Sequence, residues 1–232
     1  MAPSPKFAHP ADYPSLSEQE IIIVKKVYDF TEDFFSNPQF DASHDFNHIK
    51  RVVANSLTIL DKEEELQKRS CLPALNPLSV ILGALLHDVE DEKYRSADDT
   101  TSPTKQILNK VGLTDDYADL MLQLVHGVSY SSEVKDPEKV IRAIQLIPEL
   151  AIVQDADRLD AIGAIGIGRC FTFSGAKKIP DMQDSIAHFE DKLIKLRDMM
   201  KTETGRLLAE ERTDRILEFM SWWQDETAAT TA

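Results

Sequence analysis

The stretch Leu82-Gly-Ala-Leu-Leu-His87-Asp88-Val-Glu90-Asp91-Glu-Lys93-Tyr94 most constrains what this chain can become. Its apolar lead runs straight into a histidine and an aspartate, so a polar pair arrives at the end of a buried helix and must find partners there. Asp91 follows four positions after His87 and three after Asp88, spacings that stack side chains on one helical face. An isolated His-Asp pair is accounted for by a plainer arrangement, with His87 capping its helix and Asp88 opening a solvated loop. The remaining segments decide between the two.

Those segments read as helices throughout. Ser17-Glu-Gln-Glu20 has the form of a capping box, and Ile21, Ile22, Val24, Val27, Phe30 and Phe34 recur at helical spacing, giving a first helix to about Asn37-Pro38. Asp45 or Ser43 caps a long second helix that carries His48, Val52, Val53, Leu57 and Leu60 and ends in the charged stretch from Lys62 to Lys68. Asn76-Pro77 opens the helix leading to His87-Asp88, Ser102-Pro103 opens one that Gly112 stops, and Thr114 starts another that runs to His126-Gly127. Ser129 to Lys135 reads as irregular, Pro137 to about Gly163 as helical and Phe173 to Pro180 as a loop. Helices over about 184–201 and 204–225 follow. No sustained period-two alternation occurs, so the expected fold is all-α, a compact single-domain helical bundle. Gly163-Ala-Ile-Gly166-Ile-Gly168 lacks the preceding strand that a dinucleotide-binding loop needs and is expected to allow close helix packing instead.

The 232 residues carry a formal net charge of −14. That balance disfavours nonspecific binding to nucleic acid or to an anionic membrane. Apolar runs such as Ile81 to Leu86 fall far below the about 18 residues of a membrane span. Cys71 and Cys170 are far apart, without disulfide or thiolate-zinc spacing, which fits a reducing, cytoplasmic or nuclear setting. Residues 1–15 are expected as a loose N-terminal arm, 16–226 as the folded domain and 227–232 as a disordered tail.

Histidines and aspartates in otherwise apolar helical surroundings come from three places: His48, His87 with Asp88, and Asp155-Ala-Asp157-Arg158-Leu-Asp160. Two imidazoles with carboxylates form a mixed nitrogen and oxygen set suited to a borderline divalent ion. The absence of thiolates argues against structural zinc.

His44-Asp-Phe-Asn-His48-Ile-Lys-Arg51-Val, Leu-Leu-His87-Asp88-Val and Ala-Asp157-Arg-Leu-Asp occur in that order on expected helices. Over roughly residues 40–175 this pattern resembles the HD-domain superfamily of metal-dependent phosphohydrolases, nearest to its small nucleotide pyrophosphohydrolases. The resemblance implies an HD-type helical domain in which His48, His87, Asp88 and Asp157 ligate one divalent ion, with manganese first and cobalt, nickel, iron, zinc or magnesium as alternatives. Asp155 competes with Asp157, and the Ala-Asp-Arg-Leu context matches the family at Asp157. His44 is placed in a supporting position, and Asp160 braces the site through Arg158.

Hydrolysis then needs a carboxylate to orient water, for which Asp91 and Glu90 are the candidates, and cationic charge for an anionic substrate. Arg51, Lys93, His126 and Arg158 are the expected phosphate contacts. The expected activity is hydrolysis of a nucleoside triphosphate to monophosphate and pyrophosphate. Alternatives are monophosphatase or phosphodiesterase activity at the same site, or a noncatalytic nucleotide-sensing module. The partner is a small phosphorylated molecule, and the protein is a monomer or homodimer.

Overall fold

Five of the helix starts signalled by sequence are capped by the residues expected to cap them. In the computed structural model, which describes residues 9–37, 40, 45–67, 74–90 and 101–228, Ser17 accepts from the Glu20 amide while the Glu20 carboxylate reaches back to Ser17. Together they open α1 (Glu18–Phe35). Asp45 accepts from the His48 amide at 3.1 Å at the start of α2 (Phe46–Gln67). Asn76 caps α3 (Pro77–Leu86), Ser102 caps α4 (Pro103–Lys110) and Thr114 caps α5 (Asp115–Val128). Each cap satisfies an amide that the first helical turn leaves without an internal acceptor.

The later chain departs from expectation in several places, beginning with residues 173–176, read as loop, and 227–228, read as tail, which are helical. Ser129 to Lys135, read as irregular, contains α6 (Tyr130–Lys135), because Ser129 caps it by accepting from the Ser132 amide. The continuous helical region expected from Pro137 is two helices, α7 (Pro137–Leu146) and α8 (Glu149–Asp160), broken at Ile147-Pro148. After α9 (Gly163–Ala176) and α10 (Met182–Asp191), the chain tightens into a 3-10 segment, Leu193–Met199, before α11 (Glu203–Ala228). Residues 9–15, expected in a loose arm, form a 3-10 turn at Pro10–Asp12 with Ala11 and Tyr13 buried on the core. Residues 1–8 of that arm lie outside the described residues. Among the described residues there is no strand and no helix long and apolar enough to cross a membrane.

Three helices form the centre. α2 runs along α8 and α3, and α3 also meets α8, α5 and α1. α3 is buried from Leu78 to Leu86, which explains its almost unbroken apolar sequence: a helix covered on every side has no polar face. Gly83 is required there, since a Cβ would sit 2.6 Å from Leu124 of α5 and 3.3 Å from Val153 of α8. α8 is buried at every residue except Asp157. An all-buried helix with one partly exposed carboxylate directs that carboxylate towards whatever opening the neighbours leave.

Candidate metal centre

α2, α3 and α8 each deliver part of one polar cluster into this core. His48 lies in the first turn of α2, His87 closes α3, Asp88 begins the turn after it, and Asp157 lies one turn before the end of α8. The two imidazoles meet edge to face with ring centroids 5.2 Å apart, and their Nε2 atoms are 3.2 Å apart. Asp88 straddles them: Oδ1 is 3.4 Å from His87 Nε2, and Oδ2 is 3.4 Å from His48 Nε2. Asp157 Oδ1 stands 3.5 Å from His48 Nε2 and 3.8 Å from His87 Nε2. The donor atoms of His48, His87 and Asp157 all lie within 4.8 Å of one another.

The remaining ring nitrogens determine which way the lone pairs point. His87 Nδ1 is 2.9 Å from the Ala84 carbonyl, which can only accept, so Nδ1 carries the hydrogen and Nε2 is left as a donor atom for an electrophile. His48 Nδ1 is 2.7 Å from Asp160 Oδ2. Asp160 also accepts from Arg51 Nε at 2.7 Å, Arg51 Nη2 at 3.0 Å and Arg169 Nη1 at 2.9 Å. A carboxylate receiving two guanidiniums is ionised, so His48 Nδ1 must donate to it, and Nε2 again faces inward. Burial pushes the Asp160 carboxyl upward, but the hydrogen bonds from His48 and Arg51, together with the charges of His48 and Arg169, hold it well below the usual carboxylate range.

Two inward-facing imidazole lone pairs and two carboxylates at 3.2–3.8 Å form a set with acceptors and no fixed proton. Without a cation the protein supplies a proton instead: burial lowers the pKa of His48, the hydrogen bonds with Asp160 and Asp88 outweigh it, and the imidazole rises to about 9. A divalent ion replaces that proton naturally. At metal–donor distances of ~2.1 Å, neighbouring donors stand ~3.0 Å apart in an octahedral site and ~3.4 Å apart in a tetrahedral one, close to the observed edges. The donor set therefore fits such an ion. Both imidazoles are 1 % exposed while the Asp88 and Asp157 side chains are 22 % and 27 % exposed, so the cluster opens on its carboxylate side.

Other expected site residues are elsewhere engaged. Arg158, expected to meet phosphate, is 2 % exposed and turned into the core, where it pairs with Glu133 and donates to the Gln154 and Val128 carbonyls. Asp160 consequently braces the site through His48, Arg51 and Arg169, not through Arg158. Glu90, a candidate base, is buried, and its Oε1 accepts from the Ser102 hydroxyl and the Thr104 amide, which makes it a cap on the first turn of α4. Arg51, another expected phosphate contact, grips Asp160 with two of its nitrogens. Asp155 is saturated: it accepts from the Lys201 and Thr202 amides and from the Thr202 hydroxyl. His126 is exposed on the last turn of α5, next to Gly127, whose carbonyl accepts from Gln154 of α8. His44, Asp91 and Lys93 lie outside the described residues. Glu133 and Lys201, which pair with each other at 2.6 Å beside Arg158, carried no sequence signal, since Glu133 sits in a stretch that reads as irregular.

No model of a known protein family matches the chain. The uncharacterized protein YpgQ of Bacillus subtilis is 35% identical over 185 residues, covering 77% of this chain and 82% of the relative. The crystal structure of YpgQ in complex with ADP superposes with a TM-score of 0.69 at 30% identity, over 90% of this chain and 96% of that one. An HD-superfamily hydrolase from Bacillus thuringiensis superposes with a TM-score of 0.65 at 27% identity, over 90% and 99% of the respective chains.

Proposed function

The chain belongs to the HD-domain superfamily of metal-dependent phosphohydrolases, and on that premise we propose that it cleaves a phosphoanhydride of a nucleoside triphosphate, releasing a monophosphate and pyrophosphate. One observation carries this reading: His48, His87 and Asp157, from α2, the α3 end and α8, offer donor atoms all within 4.8 Å of one another, and Asp88 stands 3.4 Å from each imidazole nitrogen. Support for a nucleotide comes from the relative crystallised with ADP.

His48, His87, Asp88 and Asp157 would hold one divalent ion, manganese in our reading. Such an ion supplies Lewis acidity towards a phosphoryl oxygen and lowers the pKa of a water. The protein's own groups do the positioning. Asp160 and the Ala84 carbonyl fix the tautomers of His48 and His87 from behind, so neither ring must reorient during turnover. Arg51 and Arg169 hold Asp160 ionised and still. Asp91, adjoining the Glu90 cap, is our candidate for orienting the attacking water, and Lys93 and His126 are our candidates for contact with the polyphosphate, whose negative charge this acidic protein must offset locally.

A panel of nucleoside triphosphates, diphosphates and monophosphates incubated with manganese-loaded protein, with products separated by chromatography, tests the reading. A monophosphate plus pyrophosphate is expected, and no product from Asp88→Ala. Release of orthophosphate alone would replace the pyrophosphohydrolase reading with a phosphatase one. Full activity in Asp88→Ala would remove the site.

A further inference from the structure

Asp160 forms part of the wall of a second cavity, to which neither imidazole contributes. This cavity, of about 220 Å³, is lined among others by Arg51, Asn55, Gly163, Arg212 and Arg215. Three guanidiniums against one carboxylate leave a surplus of positive charge in a chain whose formal net charge is −14.

Ion pairing among the described residues leaves one of these guanidiniums, Arg212, without a carboxylate partner. Arg51 and Arg169 both bind Asp160, which also accepts from His48, so its charge is already shared. Arg215 pairs with Glu211 one turn away on the solvent side of α11, and its side chain remains 44 % exposed. Arg212 donates only to neutral acceptors, the Leu159 carbonyl at 2.5 Å and Asn55 Oδ1 at 2.9 Å. Among the described residues no carboxylate forms an ion pair with it. These two bonds hold the Arg212 fork rigid, and its stem packs against Gly163, where a Cβ would lie 3.1 Å from both Arg212 Cβ and Cγ.

The backbone adds donors to the same wall. Gly163, Ala164 and Ile165 line the cavity and form the first turn of α9, a helix of 14 residues. Ile162 precedes them and supplies no side-chain cap; the first internal bond runs from the Gly166 amide to the Ile162 carbonyl. Gly163 has φ +72°, a conformation that costs glycine little and lets the chain turn into α9 at the cavity edge. Helix-start amides and the positive end of the helix dipole favour an anion, and planar guanidiniums match the oxygens of a phosphate.

We propose that this cavity is a binding site for a phosphate-class oxyanion, orthophosphate or pyrophosphate, held by Arg212, Arg215 and the first amides of α9. Its volume falls below the ~300–1,000 Å³ typical of pockets for drug-sized ligands, so it takes a small anion and not a whole nucleotide. Asp160 and Arg51 belong to this wall and to the support of His48, so the bound anion is felt at the candidate metal centre through one carboxylate.

Calorimetric titration of chelator-treated full-length protein with orthophosphate and with pyrophosphate tests this, with Asp157→Asn reporting on any anion that binds between the histidines. Saturable binding of one anion is expected. Arg215→Gln, a partly exposed position that leaves the core untouched, should weaken it about tenfold, the equivalent of one charge-assisted hydrogen bond. Arg212→Lys should weaken it also, by removing the fork while keeping the charge, and Asp157→Asn should leave it unchanged. Absence of saturable binding would overturn the proposal, as would binding that Arg215→Gln leaves intact. Binding strengthened by Asp157→Asn but unaffected by Arg215→Gln would assign the anion to the histidine cluster instead.

Discussion

Asp155 and Asp157 stand two residues apart on α8, yet they occupy opposite kinds of environment. Asp155 is fully buried and receives protons from three directions, two amides and a hydroxyl at the turn into α11. Asp157 is partly exposed and faces two imidazole nitrogens whose lone pairs point at it. A two-residue step rotates a helical side chain by about 200°, which is why the pair cannot serve one site. A carboxylate whose acceptor capacity is filled by its own chain contributes to stability. One set beside imidazole nitrogens on a partly open face is suited to hold a cation.

The largest effect that contrast predicts is on turnover. Asp157→Ala should abolish product formation in the manganese-loaded assay while leaving the urea midpoint of the metal-free protein close to that of the parent; an active variant would show that the cluster needs only three donors. Asp155→Ala should do the reverse. Orphaning the amides of Lys201 and Thr202 should cost about 3 kcal/mol in urea denaturation, with manganese affinity retained by the folded fraction. A loss of affinity equal to that of Asp157→Ala would erase the distinction between them.

Smaller effects sharpen it. Asp160→Asn should reduce manganese affinity by roughly 10–100-fold in a calorimetric titration, because His48 loses the carboxylate that fixes its tautomer. The same substitution should show a pH signature in metal-free protein. The pKa of Asp160 is lowered on folding, so its stabilisation is fully present above its ordinary value of 3.8 and is lost as pH falls below that value towards the folded one. The difference in thermal midpoint between parent and Asp160→Asn, followed downward from about pH 6 so that the raised pKa of His48 does not enter, should therefore hold steady and then shrink below about pH 4. A difference that grew on acidification would mean that Asp160 is not held ionised by His48 and Arg51.

Local chemistry made much of this legible in advance. Ser17 with Glu20, Asn76 with Pro77, and Thr114 are short-range devices that work within one turn, and they place the helix starts where the sequence indicates. His48, His87, Asp88 and the aspartates of α8 stood out as polar residues in apolar helical surroundings, and the family resemblance singled out Asp157 among them. Glu90 and Arg158 were misjudged for a single reason. Spacing along a helix says which residues are near a site, whereas the direction of a long side chain follows from what lies opposite it. Glu90 turns to the start of α4 and Arg158 to Glu133, partners 12 and 25 positions away in sequence. The Arg212 cavity was invisible for the same reason: its walls come from α2, α11 and the junction of α8 and α9.

What the amino-acid order by itself determined is the all-helical character and the placement of most helix boundaries, since propensity, capping and apolar periodicity act over a few residues. Tertiary structure alone decided which nitrogen of His48 faces inward, which aspartate of α8 faces the imidazoles and where the surplus arginines gather. Those outcomes depend on hydrogen bonds between segments about a hundred residues apart, such as His48 with Asp160, and a buried polar atom takes its role from the partner that packing brings to it.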